Sequence, residues 1–166
     1  MEREAGRRLD WLTAVLLFLL MQVAAARLVT TEWAPDLYFA ETMAGLGTLL
    51  GLALGASKFQ PRMVVWLAAG YTLVLPPWHL SGVSQADSLL DRLKEVGGIL
   101  LVSLGEFVRR QPVKDTLFFV AFANLVFWLV GILAGYWAVR RRNVLVGIIP
   151  SGILMLVIQA YANYQP

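Results

Sequence analysis

The feature that most constrains this chain is where its charges are missing. Five windows contain no Asp, Glu, Lys or Arg: residues 11–26, 42–57, 63–86, 116–139 and 143–166. They are 16, 16, 24, 24 and 24 residues long. A helix that crosses a bilayer needs about 20 mostly apolar residues, with about 17 as the lower limit. The last three windows meet this directly. The first two meet it when Arg27 and Glu41 lie at the interface, where long side chains reach back to water. The expected fold is therefore all-α, a polytopic membrane bundle forming one domain. Its five spans fall at about 10–29, 37–56, 62–78, 117–139 and 144–162. Pro76-Pro77 predicts an end to the third helix near Trp78, because proline lacks a donor and restricts the residue before it.

Composition closes off the other classes. Hydrophobic residues make up 58% of the chain and charged ones 15%, against about 45–50% and about 25% in a soluble domain. A soluble fold of 166 residues leaves too much surface outside its core to hide that excess. There is no cysteine, which removes a thiol nucleophile, a thiolate metal site and any disulfide. His79 is the sole histidine, so a dedicated transition-metal site is not expected. No glycine loop of phosphate-binding spacing occurs. The net charge is only +3, and the basic residues sit beside the apolar windows. They read as topology signals and not as a nucleic-acid surface. No cofactor, metal or nucleic acid is expected.

Counting those charges orients the chain. With a cytoplasmic N-terminus, the inner segments hold Arg3, Arg7, Arg8, Lys58, Arg62, Arg140, Arg141 and Arg142 against three acids, Glu2, Glu4 and Asp10. Among the short outer segments only Arg27 is basic, and the outer side as a whole carries eight of the eleven acids. The positive-inside rule then places the N-terminus in the cytoplasm and the C-terminus outside, in a multi-pass protein of the cell membrane. Aromatic rings agree: Trp11, Trp66 and Trp137 mark the inner interface, and Trp33, Trp78, Tyr38, Tyr161 and Tyr164 the outer one. Trp128 is the exception, near the middle of its span. The first helix also has signal-peptide features, a basic start and Ala24-Ala25-Ala26. Its apolar stretch exceeds the usual h-region of about 7–15 residues and four spans follow, so an uncleaved anchor is expected.

The long connection after the third span has a pattern of its own. Ser88-Leu-Leu-Asp91 fits a capping box that opens a helix over about 88–110. Leu89, Leu93, Val96, Leu100, Leu104 and Phe107 recur at steps of three and four, with Asp87, Asp91, Lys94, Glu95 and Glu106 broadly opposite. This is an amphipathic helix lying on the outer membrane surface, with a weak point at Gly97-Gly98. Its charged ridge is also a candidate docking surface for an extracytoplasmic domain.

Two spans carry glycine stripes, Gly47, Gly51 and Gly55 in one and Gly131 and Gly135 in the other. Such spacing lets helix backbones approach closely, either within the chain or across a homodimer seam. Asn124, Thr48 and Thr72 are the interhelical polar candidates, with an amide hydrogen bond between helices expected for Asn124. Glu41 reads as a hydrated interfacial carboxylate, and no ionisable group lies near a span centre. Ser151-Gly152 with His79 invites an intramembrane serine–histidine reading. The two residues fall at different depths, and Ser151 is expected simply to bond back to its own helix.

One family resemblance enters here. Arg27-Leu-Val-Thr-Thr-Glu-Trp33, Leu37-Tyr-Phe39, Gly51-Leu-Ala-Leu-Gly55 and Val64-Val-Trp66-Leu-Ala-Ala-Gly70-Tyr71-Thr72 resemble the N-terminal membrane region of bacterial transglutaminase-like membrane proteins. So do Gln111-Pro112-Val113-Lys114-Asp115, Phe127-Trp128-Leu-Val-Gly131-Ile-Leu-Ala-Gly135-Tyr136 with Arg140, and Pro150-Ser-Gly152. In that family several spans precede an extracytoplasmic domain with a Cys-His-Asp triad. The resemblance implies a non-catalytic membrane anchor or scaffold, either the front of a longer protein, which is the expectation, or a standalone relative whose enzyme domain is absent. Without cysteine, no triad residue carries over. The alternative is a small polytopic transporter or channel component built around Asn124, Thr72 and Thr48. The partners expected are the lipid bilayer and either a following extracytoplasmic domain or a second copy through the glycine stripes.

Overall fold

A computed structural model describes residues 11–111, 115–141 and 144–162. Every regular element among them is helical. In chain order they are α1 (Trp11–Val29), α2 (Tyr38–Ala56), α3 (Pro61–Leu80), α4 (Leu89–Val108), α5 (Thr116–Arg140) and α6 (Val144–Ala162), with a 3₁₀ turn at Ser81–Val83 after α3. α1, α2, α5 and α3 with its 3₁₀ extension are each long and apolar enough to cross a membrane. The expected fifth crossing falls on α6, whose apolar stretch among the described residues is shorter, Gly147–Ala160. Residues 1–10, 112–114, 142–143 and 163–166 lie outside the described part. With them go the expectations placed on Arg3, Arg7, Arg8, Arg142 and Tyr164, on the side chain of Tyr161 and on the middle of the Gln111–Asp115 motif.

Local chemistry sets the helix ends. Asp115 caps α5 by accepting a hydrogen bond from the Leu117 N–H at 2.8 Å, which satisfies one of the open donors of a first turn. Pro61 opens α3, where its missing N–H costs nothing. α4 starts at Ser88, as the spacing predicts, but the serine side chain makes no capping bond. At its far end Arg110 takes the left-handed conformation, φ 56. The Gln111 N–H reaches the Glu106 carbonyl and the Arg110 N–H reaches that of Phe107, a Schellman closure normally built on glycine.

Two expectations are corrected. α3 runs on to Leu80, two residues beyond the expected end near Trp78, with Pro76-Pro77 inside it. Two adjacent prolines remove only the donors to Thr72 and Leu73. The final turn is then closed by Ser81, whose hydroxyl and N–H donate to the carbonyls of Trp78 and Pro77. α4 likewise runs unbroken through Gly97-Gly98. Val96 is buried, and Ile99 and Leu100 pack against the main core, so tertiary contact outweighs the low helix propensity of the two glycines.

Helix direction follows from which residues meet. Added Cβ atoms on Gly47, Gly51 and Gly55 would press on Trp128, Ile132 and Tyr136 respectively. Both series advance by four together, so α2 and α5 run parallel. Gln22 meets Gly45, and Gly147 meets Ala134; α1–α2 and α5–α6 are therefore antiparallel hairpins. The bundle thus has two ends. The first gathers the start of α1, the α2–α3 turn and the end of α5. Its described charges are Lys58, Arg62, Arg140 and Arg141, with no acid among them. The second gathers the α1–α2 loop, the turn after α3, α4 and the start of α5. It holds all eight described acids: Glu32, Asp36, Glu41, Asp87, Asp91, Glu95, Glu106 and Asp115. The main core lies nearer this acidic end, where Met21, Ala25, Ala44 and Phe127 pack with Leu80 and Val96.

Candidate functional site

The most specific construction in the molecule is the seam between α2 and α5. Gly135 meets the Leu52 nitrogen and the Thr48 carbonyl at 2.6 Å from its would-be Cβ, and Gly131 meets the Thr48 nitrogen at 2.8 Å. Gly47 meets the Trp128 carbonyl at 2.5 Å. At these separations backbone touches backbone, which gains dispersion contacts and Cα–H···O bonds that any side chain would abolish. The two stripes seen in the sequence thus pack on each other within the chain, and all five glycines expected to pack are in this contact.

Three polar ties surround the seam. The Trp128 Nε1–H donates to the Thr72 hydroxyl at 2.8 Å, and that hydroxyl donates to the Ala68 carbonyl. This joins α5 to α3 in the apolar interior and explains the one tryptophan that lies off the interfaces; its ring is fully buried. At the basic end the Arg140 guanidinium donates to the carbonyls of Ser57 at 2.9 Å and Phe59 at 3.2 Å. It thereby satisfies open carbonyls beyond α2 and complements the helix's negative end. At the acidic end Arg27 donates to Gln159 at 3.2 Å and to Thr30, fastening α1 to α6. Neither arginine's partner is readable from its neighbours in sequence, since 83 and 132 residues separate the pairs.

The remaining candidates separate. Thr48 is buried and donates to Ala44 on its own helix; among the described residues its hydroxyl has no interhelical partner. Asn124 is buried, and its Nδ2 and Oδ1 have no partner among the described residues, contrary to the expected bond between helices. Ser151 donates to the Met21 sulfur at 2.8 Å, with the Gly147 carbonyl at 3.5 Å. His79 instead stacks edge-on against Phe39 at 4.6 Å. Each half of the serine–histidine reading therefore has other neighbours. Glu41 is half-buried in the first turn of α2 at the acidic end, a position that suits an interfacial carboxylate. Among the described residues, no cluster of three metal-ligating side chains is found.

Outside the bundle, α4 and the start of α5 enclose an open groove of about 500 Å³, lined by Lys94, Glu95, Ser103, Glu106 and Asp115. An exposed pair, Lys94 and Asp91 at 3.5 Å, lies beside it. Leu90, Leu101, Leu104 and Val108 form an adjoining exposed apolar stripe, so α4 divides its surface three ways, between bundle, charge and open apolar face. Comparison with protein-family models, with curated proteins and with solved structures returns no match.

Proposed function

We propose that this chain is a non-catalytic membrane anchor and scaffold, related to the N-terminal membrane region of transglutaminase-like membrane proteins. The observation that carries the reading is the α2–α5 seam: the chain's tightest packing is spent on holding helices together, between glycine stripes that carry no Asp, Glu, Lys, Arg or His. In this reading α6 is the fifth crossing, the basic end faces the cytoplasm by the positive-inside rule, and the acidic end faces outward. The apolar stripe of α4 lies in the outer headgroup region, with Asp91, Lys94 and Glu95 presented to a following extracytoplasmic domain.

The cysteine-free chain suits single-cysteine labelling. Ser57→Cys is expected to resist an impermeant thiol reagent applied outside cells, and Gln85→Cys to react. Reaction of Ser57→Cys from outside would overturn the orientation.

A transporter or channel component is the second reading, favoured by Asn124, a buried amide without a partner in the bundle. Under the scaffold reading Asn124→Leu leaves the fold intact and stabilises it by about 1–2 kcal/mol, because two unpaired buried polar atoms disappear. Proteoliposome solute flux abolished by the same substitution would favour transport.

A further inference from the structure

The face of α3 turned away from the bundle combines two features: it begins on cations with no acidic partner among the described residues, and it is open at a glycine between large apolar side chains. Arg62, Trp66, Gly70 and Leu73 follow at steps of four, four and three, which aligns them along one side of the helix. All four are exposed, Trp66 at 78% and Leu73 at 77%. A Cβ added at Gly70 would meet nothing within 4 Å, so between Trp66 and Leu73 the stripe lacks a side chain and is open. At the basic end of this stripe Lys58 and Arg62 are exposed and have no acidic partner among the described residues. Their neighbours are committed elsewhere: Arg140 to the carbonyls of Ser57 and Phe59, and Arg141 to the ring of Trp137 at 5.9 Å.

We infer that this stripe binds an anionic phospholipid at the basic end of the bundle. Its phosphate sits between Arg62 and Lys58, and one acyl chain lies over Gly70 between Trp66 and Leu73. Arg62 and Gly70 are eight residues apart, about 12 Å along the axis, which matches a phosphate above and the upper acyl chain below. Basic side chains at the end of a span, beside an interfacial tryptophan, are the chemistry that recognises an anionic headgroup. A second copy of the chain suits this face poorly, because a two-fold axis along α3 would bring Arg62 onto its own mate. The inference rests on the membrane reading above.

The test uses the whole chain in phosphatidylcholine nanodiscs into which phosphatidylglycerol is titrated, with retained lipid counted by native mass spectrometry after release into detergent. Wild type is expected to retain phosphatidylglycerol in preference to phosphatidylcholine. Arg62→Gln should weaken that retention about fivefold, and Arg62→Gln with Lys58→Gln about 30-fold, at about a fivefold factor per cation on an anionic surface. Arg62→Lys should largely preserve it. Gly70→Leu, which fills the gap and leaves the charges, should lower it, while Lys94→Gln at the acidic end should not. Inorganic phosphate in the same buffer should fail to displace the lipid; displacement would assign the site to a free anion and overturn the lipid. Equal retention of both lipids, or wild-type retention by Arg62→Gln, overturns the proposal alone. A lipid-independent dimer lost on Gly70→Leu overturns it in favour of a second copy. Release of the wild-type chain from vesicles by alkaline carbonate would overturn the membrane reading, and this proposal with it.

Discussion

α2 and α3 are neighbours in sequence, nearly equal in length, and joined by the short turn at residues 57–60, yet they are held in opposite ways. Of its apolar 18-residue window, α2 has 56% buried and α3 only 17%. The glycines of α2 press against the backbone of α5, whereas Gly70 of α3 faces open space. In a membrane there is little hydrophobic drive to bring one apolar helix to another, so closeness of approach decides which pairs hold. α2 gains that closeness along three turns. α3 relies on one indole–hydroxyl bond, on the turn clamped by Arg140, and on Val64, Pro76 and Leu80. A glycine therefore has no fixed value in such a helix; what lies opposite it sets the sign.

The sharpest way to break this comparison is to place the same methyl group on both sides of it. Gly51→Ala drives a Cβ into the Ile132 backbone, which cannot yield as a side chain would. The expected loss is about 3 kcal/mol of unfolding free energy in mixed micelles, at the severe end of overpacking. Arg140→Ala comes next. It opens the clamp on Ser57 and Phe59 at a half-buried site and should cost about 1.5–2 kcal/mol, with faster hydrogen exchange in the α2–α3 turn as its local readout. Thr72→Val leaves the Trp128 N–H without its acceptor and should cost about 1 kcal/mol, within the range for membrane interhelical bonds. It should also shift the Trp128 emission. The smallest effect has the reverse sign: Gly70→Ala should stabilise by about 0.5 kcal/mol, because an exposed helix interior favours alanine. Equal losses from Gly51→Ala and Gly70→Ala would mean that α3 is covered as closely as α2, and the contrast would fall.

Much of this was readable in advance, for identifiable reasons. A charge inside an apolar helix is costly, so the spans drawn from the charge-free windows, extended to Arg27 and Glu41, match the helix bounds to within two residues. The largest offsets include the end of α3, two residues past Trp78, because a donor lost in the last turns costs a helix little when the Ser81 hydroxyl and N–H close it. The glycine stripes announce close packing but not their partner. That α2 pairs with α5, and in parallel, follows from two antiparallel hairpins coming together, a matter of tertiary arrangement that no local pattern encodes. Trp128 was visible as an anomaly and Thr72 as a polar candidate, but their bond spans 56 residues. Asn124 misleads in the other direction: an amide in an apolar window predicts a partner, and the described residues supply none.

The parallel seam also carries a consequence for how the molecule is made. Gly47 leaves the ribosome 84 residues ahead of Gly131, which at about 5–20 residues per second is a delay of roughly 4–17 s. During that interval α2 is complete and its partner does not exist. The stripe that will later admit a neighbouring backbone is then exposed to whatever surrounds a nascent span, whether insertion machinery, lipid or another unfinished helix. Assembly of this bundle therefore depends on keeping one finished groove empty until the second half of the chain arrives. A stall between α3 and α5 would leave a protein already inserted but still lacking its centre.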